Sequence, residues 1–172
     1  VETMRVDRIS ARDGFPLEFQ VSGPEDAPAL LLLQGQSNSH EWWDDLRGDF
    51  EPDFRTITFD YRGTGGSRGE LGELSTASFA DDAVDVLDHL GADRAAIYGT
   101  SMGGRISQML ALNRPERVSA LVLGCTSPGG PHAAKLWRGC AAMSTLSTSS
   151  TSSTPPNGRY RRSTARCSAT TR

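Results

Sequence analysis

Residues 29–33 read Ala-Leu-Leu-Leu-Leu and run without a polar break into Gln34-Gly35. Five aliphatic residues in a row, with no alternation, fit a strand covered on both faces, and such strands belong to parallel sheets flanked by helices. Residues 54–59 and 95–98 form two further strands of this kind, and 120–123 a fourth. Between them, residues 76–90 place Phe79, Ala83, Val86, Leu87 and Leu90 on one helical stripe, which Gly91 ends as a left-handed cap. Residues 39–50, with Trp42, Trp43 and Leu46, read as a short helix. Residues 6–9 and 15–21 read as a hairpin turned by Asp13-Gly14. Strands alternating with helices at this spacing predict an α/β fold whose mostly parallel sheet is built by right-handed crossovers. Ligands bind such sheets beyond the carboxyl ends of the strands. The loops 34–40, 60–67 and 99–103 are therefore expected to converge on one edge.

The third of these loops carries chemistry. Residues 95–105 read AAIYGTSMGGR, a strand that breaks at Gly99-Thr100-Ser101-Met102-Gly103 and resumes as a helix over 102–113. Gly99 and Gly103 lack Cβ atoms, so the chain can turn sharply and lift Ser101 over the sheet edge. The helix behind it offers unpaired N–H groups, that of Met102 first, to an oxyanion formed by attack on a carbonyl. The competing structural reading is a Gly-rich turn with a capping serine.

Eighteen basic against twenty-one acidic side chains give a net charge of −3, which predicts neither a nucleic-acid nor an anionic-membrane partner. No apolar stretch is long enough to span a bilayer, and the first residues lack the apolar core of a signal peptide, so a cytoplasmic location is expected. Cys125, Cys140 and Cys167 are odd in number and widely spaced, and suggest neither a metal site nor a disulfide framework.

Three segments, each after its own strand, resemble the α/β-hydrolase family. Leu31-Leu32-Leu33-Gln34-Gly35-Gln36 resembles its strand and oxyanion loop, with Gln34 where many members have histidine. Asp60-Tyr61-Arg62-Gly63-Thr64-Gly65-Gly66-Ser67 resembles the turn after its next strand, and Ser101 falls on its nucleophile. The resemblance implies a serine hydrolase acting on a carboxylic ester or related carbonyl compound through an acyl-enzyme on Ser101. The N–H of Gln36 would join that of Met102 in the oxyanion hole, with a small ester-like substrate and no metal or cofactor. For Asp60 and Arg62 the favoured reading is a pair that fixes a tight turn, and for at least one of Trp42 and Trp43 it is packing of the helix on the sheet.

A serine hydroxyl needs a base, and the base an acid to hold its tautomer; the family places both after the serine. Downstream of Ser101 the only acid is Glu116, in a turn at the far end of the sheet, and the only histidine is His132. His40 and His89 read as structural. From about residue 140 the chain becomes Ser/Thr/Pro-rich and then basic, with Arg159, Arg161, Arg162 and Arg166. That composition cannot bury enough surface to offset ordering entropy. The expectation is a partial hydrolase domain over 1–135 and a disordered tail over 136–172, replacing the acid, the base and the last strands through a frameshift or truncation. The serine hydrolase would then be impaired. The alternative is a catalytically inactive remnant or a ligand-binding fragment. Either way the last strand would leave an apolar, aggregation-prone sheet edge.

Overall fold

A computed structural model describes residues 4–129. The expectations for His132, Cys140, Cys167 and the tail over 136–172 lie outside the described residues. Among the described residues six strands form one sheet: β1 (Arg5–Ser10), β2 (Pro16–Ser22), β3 (Ala29–Leu33), β4 (Arg55–Phe59), β5 (Ala95–Thr100) and β6 (Val118–Gly124). Their order is β1-β2-β4-β3-β5-β6. The β1–β2 hairpin pairs antiparallel, β2 pairs antiparallel with β4, and β4, β3, β5 and β6 run parallel. The sheet is thus mixed and mostly parallel, as the aliphatic runs imply.

The helices cover the two faces unequally. Helices α2 (Thr76–His89) and α3 (Met102–Asn113) lie together over the larger core, which holds Leu31, Leu33, Ile57, Phe59, Ile97, Leu87, Ile106 and Leu110. On the opposite face, a 3-10 turn (His40–Trp43) leads directly into α1 (Asp44–Arg47), and Trp43 packs on Leu30 and Leu32, with Tyr98 and Ala96 against them. Alternate residues of β3 therefore feed different layers, which is why the strand is aliphatic throughout. Helix α2 starts on a capping box, in which Ser75 accepts from the Ser78 amide and the Ser78 hydroxyl accepts from the Ser75 amide, both at 3.0 Å.

The short helix differs from its sequence reading. Leu46 is 42% exposed and Arg47 only 2%. The reason is phase: with Trp43 fully buried, the side chain four residues later faces the same way, and that residue is Arg47. One of the two tryptophans packs the segment onto the sheet, as expected; Trp42 is 44% exposed. Among the described residues β6 is the last strand in the sheet order, with Leu121, Val122 and Leu123 exposed.

Two outcomes are expected. Truncating the fully buried Leu87 to alanine lowers unfolding free energy in urea by about 3 kcal/mol, the usual cost of lost transfer energy plus a cavity. Val122→Lys, which puts a charge on the exposed strand, reduces light scattering of concentrated samples while changing stability by less than about 0.5 kcal/mol.

Candidate functional site

Since β4, β3 and β5 are adjacent and parallel, the loops after them emerge at one edge. The convergence expected of residues 34–40, 60–67 and 99–103 therefore follows from the register. Ser101 caps α3 at φ 53° and ψ −115°, one of three non-glycine residues with positive φ among those described. L-residues rarely adopt this conformation, and here it is held by packing. The Ser101 amide donates to the Gly124 carbonyl at 3.0 Å, and its carbonyl accepts from the Thr126 hydroxyl at 2.7 Å. A Cβ on Gly103 would collide with the Leu33 carbonyl oxygen, so only glycine lets α3 sit this close to β3. Met102 opens the helix, and its N–H is among those without an intrahelical acceptor. Gln36 lies in the neighbouring loop, beside the left-handed Ser37 at φ 64°.

The loop after β3 is anchored from below. The buried Gln34 side chain donates to the Phe59 carbonyl at 2.7 Å and accepts from the Thr58 hydroxyl at 3.2 Å, while its backbone carbonyl accepts from Tyr61 Oη at 2.8 Å. Glutamine at this position thus ties the loop after β3 to β4.

The histidine and acid of this edge are His40 and Asp60. Asp60 is fully buried, and its Oδ1 accepts from the His40 backbone N–H at 2.6 Å and pairs with His40 Nδ1 at 3.0 Å. Its Oδ2 accepts from the Gly66 N–H at 2.7 Å. A side chain on Gly65, which sits at φ 44°, would run into this carboxylate. The hydrogen bond to Asp60 holds the His40 imidazole above its usual range against the opposing effect of burial, and the charges of Asp60, Glu18 and Asp44 add to it. For Asp60, burial pushes the carboxyl up, but the bonds from His40 and the Gly66 amide outweigh it and leave it below the ordinary value. Arg62 does not join this pair. It bridges Asp82 at 2.6 Å and Asp13 at 2.5 Å, so the turn is fixed by two separate networks.

Glu18 completes a cluster with His40 and Asp60 whose ligand atoms lie within 4.8 Å of one another. These are residue types that hold divalent metals. Yet Glu18 Oε2 already takes the Arg8 guanidinium at 2.9 Å, and both Asp60 oxygens already accept amide protons. A cation would have to displace these donors and the His40 proton.

This cluster corrects the reading of the chain as a serine hydrolase working through an acyl-enzyme on Ser101 and impaired for want of an acid and a histidine. A histidine and an acid are present, buried and paired, with Glu18 beside them. They are committed to each other and to loop backbone, and no described side chain hydrogen-bonds the Ser101 hydroxyl. No activated serine nucleophile is evident at the turn. His40 and Asp60 were each legible as structural residues, but their pairing was not, because they lie in different loops. The available signal was the expected convergence of the 34–40 and 60–67 loops, which carry the two residues. A surface groove of about 360 Å³, lined by Asp13, Phe15, Arg62 and Glu73 among others, includes none of the residues of the 34–40 or 99–103 loops.

A family model described as the alpha/beta hydrolase fold matches residues 28–148. The chain is 30% identical over 121 residues to 3-oxoadipate enol-lactonase 2 of Acinetobacter baylyi, covering 70% of this chain and 45% of that one. A hydrolase from Pseudomonas aeruginosa superposes with a TM-score of 0.70 at 32% identity, over 74% of this chain and 48% of that one. Naproxen esterase from Bacillus subtilis does so with 0.64 at 32% identity, over 70% and 42%. The chain spans less than half the length of these relatives. Among the described residues no helix is long and apolar enough to cross a membrane.

The paired groups set a pH dependence. With its folded value above 6.5, His40 contributes stability that is full below that pH and lost as pH rises through the folded value. Asp60, lowered below 3.8, contributes stability that is present above 3.8 and lost as pH falls through its folded value. Urea titrations are expected to show the pair at full strength between those limits and declining stability on the alkaline side. His40→Gln flattens the alkaline limb. Asp60→Asn removes both limbs and costs about 3 kcal/mol, as expected for a buried ion pair deprived of one partner.

Proposed function

The chain belongs to the α/β-hydrolase fold family, and from that premise we propose that residues 1–172 by themselves form a ligand-binding, catalytically inactive portion of such a domain. One observation carries the reading. The imidazole and carboxylate at the strand ends are spent on holding two loops together, and the Ser101 hydroxyl has no base among the described residues. A serine hydroxyl without a base keeps its proton and is a poor nucleophile. It remains a competent hydrogen-bonding group.

The ligand on this reading is a small ester or lactone. Its carbonyl oxygen lies against the N–H groups of Gln36 and Met102, with Ser101 beside it. Support comes from the free N–H at the start of α3 and from relatives that include an enol-lactonase and an esterase. The Gln34 anchor supports the same placement by fixing the backbone on which Gln36 sits.

Hydrolysis of 4-nitrophenyl acetate stays within about threefold of the Ser101→Ala variant, since no interaction made only in the transition state is lost. Titration with γ-butyrolactone shifts the Gln36 and Met102 amide resonances in a saturable manner. Rapid stoichiometric labelling by a fluorophosphonate, abolished by Ser101→Ala, would overturn the inactive assignment; an absence of amide shifts would overturn the ligand site.

A further inference from the structure

Among the described residues the sheet has β1 at one edge and β6 at the other, and at each edge alternate residues turn their backbone groups outward. The hydrogen bonds fix which residues these are. On the β1 side, the Ala11 amide donates to the Phe15 carbonyl at 2.8 Å. Carried along the antiparallel register, that phase turns Arg5, Asp7 and Ile9 toward β2, and Val6, Arg8 and Ser10 outward. On the β6 side, the Ser101 amide donates to the Gly124 carbonyl at 3.0 Å. In this parallel ladder Gly124, Val122 and Ala120 therefore turn toward β5, and Leu121 and Leu123 turn outward.

A second copy that meets the same edge across a two-fold axis pairs antiparallel, with outward-turned residues facing outward-turned residues. For β1, the two registers that use most of the strand place the axis at Asp7 or at Arg8. One sets Asp7 against Asp7 and the other sets Arg8 against Arg8, and like charges directly opposite are destabilising. This edge is defended against its own copy. Strand β6, VSALVLG, carries no charge. With the axis at Leu121, that outward-turned residue faces itself, Ala120 faces Val122, Ser119 faces Leu123 and Val118 faces Gly124, so the whole strand is used and no charges meet. Apolar surface is open on both sides of it. Leu121 (38% exposed) and Leu123 (43%) share the face of Ile97, and Val122 (55%) shares that of Tyr98.

We propose that β6 is a self-association edge, on which a second copy of this chain adds its own β6 antiparallel about a two-fold axis at Leu121 and continues the sheet across two protomers. Leu121 of each copy exchanges N–H and C=O with the other, which satisfies backbone groups that water otherwise holds. The contact is isologous, so it consumes the β6 edge of both copies; with β1 defended at the far ends, assembly stops at two. A single strand pair is a small interface of the transient class, and the dimer therefore forms as protein concentration rises.

The test is sedimentation equilibrium of the full chain from low micromolar to near-millimolar protein. The weight-average mass is expected to rise from that of one chain to that of two and to level there. Leu121→Lys and Leu121→Glu each set like charges against each other on the axis and raise the dissociation constant by about tenfold or more. An equimolar mixture of the two variants sets lysine against glutamate and recovers the dimer. Only a register in which residue 121 faces itself behaves in this way. Should a Leu121 variant fail to fold, Val122→Lys, at the most exposed position of the patch, weakens the dimer instead. A monomer at every concentration, the result if another segment or protein occupies the edge, would overturn the proposal. So would a mass that climbs past two chains, or a Lys and Glu mixture that stays monomeric.

Discussion

The Asp60 carboxylate is buried at the carboxyl end of β4, and each of its oxygens is engaged by a different loop. Oδ1 takes the backbone and ring nitrogens of His40, which belongs to the segment after β3. Oδ2 takes the amide of Gly66 in its own turn. A desolvated carboxylate is tolerated only when it is so paired, and its charge makes each of these bonds stronger than a neutral one. The consequence is mechanical. The loop bearing Gln36 and the turn bearing Arg62 are held at fixed positions beside the start of α3, and Arg62 in turn ties that turn to α2 through Asp82.

The mounting of Ser101 and its reactivity are separate matters. Backbone geometry at Ser101 is set by packing: α3 approaches β3 closely through Gly103, and the positive φ of Ser101 is held between β5 and β6 by the bonds to Gly124 and Thr126. Reactivity is a separate requirement, met when a general base, most often an imidazole, is free to take the hydroxyl proton. In the described residues the buried imidazole at this edge serves as a tether.

The sequence exposed those features that depend on neighbours along the chain. The unbroken aliphatic run of β3, the stripe of α2 and the glycine-flanked Ser101 each follow from local pattern, and the three convergent loops follow from strand alternation. Features that depend on distant partners stayed hidden. His40 and Asp60 meet only because β3 and β4 are neighbours in the sheet, which sequence order alone does not state. The burial of Arg47 is settled by the phase of Trp43 against Leu30 and Leu32. The Ser75–Ser78 box was invisible for a different reason, since serine in place of glutamate at the third helical position carries no strong signal.

The central claim is that the His40–Asp60 pair is a tether independent of Ser101. The most direct measurement is a nitrogen-15 NMR titration of the His40 ring in the native chain and in Ser101→Ala. The account predicts a midpoint above 6.5 that is the same in both and falls in Asp60→Asn. A midpoint that moves when Ser101 loses its hydroxyl would couple the imidazole to the serine and contradict it.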